Sequence, residues 1–327
     1  MTSALRQNVG PISQHSGMTA EQVDRRKQKL MAILNQSLPT LPGYVLDLNA
    51  QLANSSVDLK KVANIIRSDP SLSAQVLRLC NSALFGLRRR VISIEQAAVL
   101  LGTERLRTLV LTCSVMQFAG KRVPQEQLIP FWQHSFLAAL LSERIARHVD
   151  YFEKEQAYLG GLLHDIGLLP LWILALEEQS KNRPGPPDGW ADNPAVERSY
   201  FGMDHCKVGR WMAVSWNFMP SFVDVFEAHH SPERAQHDPY LVGIVAVADQ
   251  FLIAQADAQI PASPDTSESA DSHGGDIVAP EYLAKNLPLL AEGERTALLE
   301  TLQTEYIHLL PLVQIGIAAA TGTHADG

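Results

Sequence analysis

The chain is 327 residues long, 46% of them hydrophobic, with 27 Lys and Arg against 35 Asp and Glu for a net charge of −8. That is apolar material for a substantial core in one large domain or two, and the acidic balance argues against a global basic field that would recruit nucleic acid or acidic lipid. Three cysteines, Cys80, Cys113 and Cys206, form no Cys-x-x-Cys pair, which excludes a disulfide scaffold and a thiolate zinc cluster and suits a reducing, cytoplasmic compartment.

Residues 1–18 are rich in Ser, Gln and Gly, carry no periodic apolar pattern and read as a flexible tail. They hold no apolar core of the kind a secretory signal needs, and no apolar run approaches the ~20 residues of a membrane span, so no membrane association is expected. Order is expected from Thr19, where Thr-Ala-Glu-Gln resembles a capping box ahead of Leu30, Ile33 and Leu34. Leu38-Pro39-Thr40-Leu41-Pro42 then breaks that helix, because each proline turns its predecessor away from helical geometry. Asp58 is placed to N-cap a helix with Leu59, Val62, Ala63 and Ile66 on one face. Asp69-Pro70 opens the next, with proline at the first helical position, Leu72, Val76, Leu79 and Cys80 facing inward, and Gly86 closing it. Ser93 and Gln96 offer another capping box, and Gly102-Thr103 interrupts the pattern before a helix over 106–118. The second half predicts helices near 128–148, 153–168, 203–217, 221–230 and 239–256, with a loop around Pro184, Pro186 and Pro187. Residues 257–278 read as a flexible insertion, 279–318 as two C-terminal helices and 319–327 as a tail. No strand-like alternation competes, so the expected fold class is all-α.

The chemistry concentrates in histidines and isolated aspartates. His164 and Asp165 stand side by side in Gly-Gly-Leu-Leu-His-Asp-Ile-Gly, and an imidazole and a carboxylate on an apolar helix are costly to bury unless something, typically a metal ion, is bound between them. The bland alternative is that Asp165 caps a turn and His164 packs. His134 faces the apolar side of its helix; alone, such a histidine is more often a hydrogen-bonded core residue than a ligand. Asp249 is the only charged residue between Pro239 and Ala256, where burial would cost several kcal/mol unless a cation met it. His205 and the pair His229-His230 complete the set, although adjacent helical residues diverge by ~100°, so that one metal would normally recruit only one of the pair whereas a two-metal centre could use both. Cys206 reads as a small core hydrophobe with no catalytic role. His15, His148, His237, His273, His308 and His324 read as solvated.

The order His134, His164-Asp165, Asp249 resembles the H…HD…D signature of the HD superfamily of metal-dependent phosphohydrolases, and His205 with His229-His230 is similar to the extra histidines of its two-metal HD-GYP branch, which hydrolyses cyclic di-GMP. The N-terminal half is more specific. Leu38 to Pro42, Asp69-Pro70-Ser71-Leu72, the run from Leu77 through Asn81-Ser82 to Gly86, Ile92 to Ala97 and Leu101-Gly102 resemble the HDOD family, the HD-related output domain of bacterial signalling proteins. The resemblance implies a helical domain over 19–256, made of an N-terminal subdomain (19–120) and an HD-like subdomain (121–256), with metal ligands His134, His164, Asp165, His205, His229, His230 and Asp249.

Two functions follow from it. HDOD domains are regarded as signalling or regulatory modules, which implies protein partners and a partner surface around Asn81, Ser82, Arg88, Arg89 and Arg90. Active HD-GYP relatives imply a phosphodiesterase acting on a cyclic dinucleotide or other phosphoester, through one or two ions of iron, manganese or zinc. Against catalysis, Leu168 stands where the lysine of His-Asp-x-Gly-Lys would help hold a phosphate, and no Gly-Tyr-Pro substrate loop follows His230. A non-catalytic signalling role with a retained metal centre is therefore expected, with a nucleotide as an alternative ligand. Nucleic-acid binding by the short helices between 58 and 118 is disfavoured by the net charge.

Overall fold

The computed structural model describes residues 19–36, 63–64, 66–67, 69–258 and 278–321. The expected break at 38–42, the start of the helix capped by Asp58 and nearly all of the 257–278 insertion lie outside these residues. The described residues are helical, with no strand among them.

The N-terminal helices begin where local chemistry satisfies their first N–H groups. Helix α1 (Ala20–Gln36) starts with the predicted reciprocal cap: Gln22 N–H donates to Thr19 Oγ1 at 3.3 Å and Thr19 N–H to Gln22 Oε1 at 3.0 Å. Helix α2 (Pro70–Cys80) is capped by Asp69, whose Oδ1 accepts from Leu72 N–H at 3.0 Å. It ends at Cys80, not at Gly86, which instead closes the short 3-10 turn Ala83–Phe85 in the left-handed region at φ 56°. Helix α3 (Ile94–Gly120) is capped by Ser93, while Gln96 reaches back to Ile92 N–H, one residue short of a formal capping box. Gly102, at φ 78° and ψ 172°, kinks α3 where the sequence predicts an interruption.

The second half is built on α4 (Gln125–His148) and α5 (Lys154–Leu163), packed on one another with α10 (Pro239–Ala258) across both. Close approach of α5 to α4 needs glycine: a Cβ on Gly161 would lie 2.6 Å from Ala138 O. The single helix expected over 153–168 is broken. The chain turns through residues 164–167 and restarts as α6 (Leu168–Ser180), which the sequence pattern did not resolve because Leu168 to Ala175 is apolar on every face. Helices α7 (Pro194–Phe201), α8 (His205–Ser215) and α9 (Pro220–Ala228) follow, with α8 packed on α9 by way of a short connection, and α1 lying against α6 and α7. Asp224 on α9 accepts from the backbone N–H groups of Gln236, His237 and Asp238 and so fixes the entry into α10.

Two stretches, Lys154–Ser180 and Pro239–Ala256, are long and apolar enough by composition to cross a membrane, which corrects the reading that no apolar run approaches that length. Their windows are 94% and 67% buried inside the protein, and the first is interrupted at 164–167, so they are core helices. Helices α11 (Pro280–Asn286) and α12 (Glu292–Thr321) close the fold; α12 packs on α4 and α2 and reaches into the stretch expected to be a tail.

Candidate metal centre

Five segments deliver side chains to one buried point. His134 comes from α4, His164 and Asp165 from the turn after α5, His205 from the first residue of α8, His229 and His230 from the end of α9, and Asp249 from α10. The turn after α5 is pinned against the start of α8, since a Cβ on Gly167 would lie 2.0 Å from His205 O and 2.7 Å from Gly209 N. Only glycine lets these backbones meet, and their meeting sets Asp165 among the histidines of the cluster. All seven residues named from the sequence converge. His134, His164, Asp165, His205, His229 and Asp249 are buried, and His230 is partly exposed.

The cluster has two halves that share Asp165. On one side, His134 Nε2 lies 3.2 Å from His164 Nε2 and 3.2 Å from Asp249 Oδ1, and Asp165 Oδ2 is 3.2 Å from His164 Nε2. On the other, Asp165 Oδ1 is 3.5 Å from His205 Nε2 and 3.4 Å from His229 Nε2, while His205 Nε2 is 3.2 Å from His229 Nε2 and 3.1 Å from His230 Nε2. His229 and His230 both approach His205 Nε2 although adjacent helical residues diverge by ~100°, and His230 also lies 3.8 Å from Asp249 Oδ2 of the first half.

Tautomers are fixed by acceptor-only partners. His164 Nδ1–H donates to Gly161 O at 2.8 Å, His229 Nδ1–H to Val225 O at 3.0 Å, and His205 Nδ1–H to the Glu197 carboxylate at 2.8 Å. In the neutral rings the Nε2 atoms are therefore bare lone pairs, aimed at one another and at carboxylate oxygens. Asp165 Oδ1 and Asp249 Oδ1 are buried with no hydrogen-bond donor. Such a set of acceptors repels itself unless a positive charge sits among them, and divalent metal ions take nitrogen and oxygen donors of this kind. The electrostatics of the cluster make the same demand. Burial opposes the charge on Asp165 and Asp249, yet the surrounding histidines hold both carboxyls well below their ordinary range. Burial likewise works against imidazolium at His164 and His205, but acidic neighbours hold both well above it, and His229 rises to about 9.

Three contributors were not assigned a role from sequence. Glu197, fully buried on α7, receives both Nδ1–H and the backbone N–H of His205. Asp192, in the turn before α7, places Oδ1 3.3 Å from His230 Nε2. Cys206, read as an inert hydrophobe, sets Sγ 3.4 Å from His205 Nε2, and burial is overcome by His205 and His229, which pull its thiol down to about 6. The expected partner surface divides: Asn81 spends its amide on Leu77 O and Val91 O and accepts from Val91 N–H, and buried Ser82 donates to Leu79 O, so both hold the loop together, whereas Arg88, Arg89 and Arg90 are exposed. His148 and His308 are exposed as expected, and His237 contacts Asp224. His15, His273 and His324 lie outside the described residues.

Comparison with known proteins agrees with the helical fold. A crystal structure of a proposed phosphohydrolase from Shewanella amazonensis superposes with a TM-score of 0.62 at 26% identity, covering 89% of this chain and 97% of that one. An HDOD domain protein of unknown function from Geobacter sulfurreducens superposes at 0.64 with 22% identity, covering 90% and 99%, which shows the fold alone. An uncharacterised protein of Treponema pallidum is 24% identical over 225 residues, 66% of this chain; the match spans 42% of that relative's length. The HDOD domain profile matches residues 38–232, more than half of the sequence, and the chain belongs to the HDOD family.

Proposed function

We propose that this protein is a regulatory HDOD domain whose His/Asp centre holds a pair of divalent cations bridged by Asp165, and that metal occupancy sets how its helices pack instead of driving turnover. The observation that carries this reading is the convergence of side chains from five segments around one carboxylate, with Asp165 Oδ2 facing His164 and Asp165 Oδ1 facing His205 and His229. Cations in both halves, sharing Asp165, would tie α4, the turn after α5, α8, α9 and α10 together. Leu168 is buried in the core, and among the described residues no lysine or arginine pairs with any of the seven, so the lysine that would help position a phosphate has no counterpart among their partners. Iron, manganese and zinc all suit the donors of the first half. Exposed Arg88, Arg89 and Arg90, followed two residues on by exposed Ile92, offer a surface to a protein partner. The three free, buried thiols accord with a cytoplasmic setting.

A phosphohydrolase is the second reading, favoured by the bridging geometry of Asp165 and by the partly exposed edge at His230. Two cations in such a site would supply an activated water and polarise a phosphoryl oxygen. Protein purified anaerobically is expected to contain about two metal ions per chain and to lose about 3–4 kcal/mol of stability on chelation from saturating metal. Cyclic dinucleotides and generic phosphodiesters should not be hydrolysed. Turnover that Asp165→Asn abolishes would replace the regulatory reading by the catalytic one. Absence of metal, with Asp165→Asn leaving stability unchanged, would remove both.

A further inference from the structure

The two halves of the centre differ in donor chemistry. His134, His164, Asp165 and Asp249 give the first half two nitrogens and two carboxylates. The second half has His205, His229, His230 and, unexpectedly, Cys206, whose donor atoms all lie within 4.8 Å of one another. We propose that Cys206 is a thiolate ligand and that it forms, with the three histidines, a zinc-selective position beside a harder, oxygen-rich one. The inference rests on the reading of the centre as metal-binding and adds which ion the second half takes and which residue selects it.

Geometry supports the assignment. Zinc bonds of about 2.0–2.1 Å to nitrogen and about 2.3 Å to sulfur place the corners of a tetrahedron roughly 3.3 Å apart for two nitrogens and roughly 3.5 Å apart for nitrogen and sulfur. His205 Nε2 lies 3.2 Å from His229 Nε2, 3.1 Å from His230 Nε2 and 3.4 Å from Cys206 Sγ. These three edges, which meet at His205 Nε2, match those of a tetrahedral cage around one small ion, and the other three lie within 4.8 Å. An independent sign of a cation here is the buried Asp165 Oδ1, which has no hydrogen-bond donor and faces this half from 3.4 and 3.5 Å, so that it would stand as a fifth donor. Cys206 follows His205 in the first turn of α8, which Asp204 caps by accepting from Lys207 N–H at 2.8 Å, and its Sγ lies 3.4 Å from His205 Nε2. A thiolate is a soft donor that favours zinc over manganese or magnesium, whereas carboxylates and imidazoles alone discriminate less.

The test is cobalt substitution of the full chain, stripped of metal and reloaded with Co(II). Wild type is expected to show a near-ultraviolet thiolate-to-cobalt charge-transfer band together with visible ligand-field bands. Cys206→Ser should lose the first and keep the second, and competition with a chelator should show its zinc affinity down at least tenfold with manganese affinity unchanged. A circular dichroism melt of both proteins without metal serves as the control for folding. Two cobalt ions bound with no charge-transfer band in wild type would overturn the role of Cys206 while leaving the metal centre standing, as would unchanged zinc affinity in Cys206→Ser. No cobalt uptake by wild type would overturn both together. Cys80 and Cys113, fully buried elsewhere in the core, cannot supply a band that disappears with Cys206.

Discussion

Single residues decide what the centre can hold. Asp165 offers one oxygen to each half, and the histidines around it are held with their Nε2 atoms inward by partners that can only accept. Glu197 has the largest leverage among these partners, because it takes two hydrogen bonds from His205 in a fully buried place. Glu197→Gln keeps the shape but leaves one oxygen in place of two and adds a donor facing a donor. Isothermal calorimetry should find the affinity of the second half reduced about 10–100-fold, with the helical circular dichroism signal retained. Equal affinity in the two proteins would mean that Glu197 only packs. The seven converging residues were legible in the sequence because their types are conspicuous in apolar surroundings, as at Asp249. Glu197 and Asp192 were not, since acids in polar stretches are exposed by default and only the packing of α7 against α8 turns them inward.

At the scale of elements, the turn after α5 and the kink of α3 use glycine for different reasons, and substitution separates them. Gly102→Ala meets no atom within 4 Å and is strained only by a backbone at φ 78° and ψ 172° that is almost confined to glycine, so it should cost about 2 kcal/mol in urea denaturation and leave metal stoichiometry untouched. Gly167→Ala drives a methyl into His205 O, and should cost more, about 3 kcal/mol, while also lowering metal content because the turn and α8 are forced apart. Equal metal content in the two variants would contradict the pinning of Asp165 by that contact. A second element-level tie joins α1 to α6 through Glu178, which is almost fully buried and pairs with Lys29 and Arg183. Burial works against its charge, but the two cations hold its carboxyl below the ordinary range. A depressed folded-state pKa means that the stabilisation is present above the unfolded value, near pH ~4.3, and is lost as pH falls through the folded one. Wild type should therefore exceed Glu178→Gln in stability at neutral pH, with the two curves converging in acid; a gap that persists at about pH 2 would refute the assignment.

Over the whole molecule, the helical class and the points where α1, α2 and α3 begin could be read from caps and periodicity, and the kink from Gly102. Helices α6 and α7 could not: the first is apolar on all faces and so has no period, and the second is short and follows a proline-rich loop. Least legible was the weight carried by α12, which lies outside the residues matched to the family yet covers α4, the helix that presents His134. Its Leu298, Leu302, Tyr306, Val313 and Ile317 are buried, Tyr306 meets Phe251 of α10 edge-on, and Glu305 pairs with Arg144 of α4 at 2.5 Å. These buried side chains, at about 1.5–3 kcal/mol each, amount to roughly 10 kcal/mol, which is comparable to the entire net stability of a typical domain. Metal in about thousandfold excess over its dissociation constant returns only about 4 kcal/mol. A chain ending at residue 291 is therefore expected to lack a cooperative thermal transition by circular dichroism, with or without added zinc or manganese. Were the shortened chain to melt cooperatively once metal is supplied, the centre and not α12 would be what holds α4 in place.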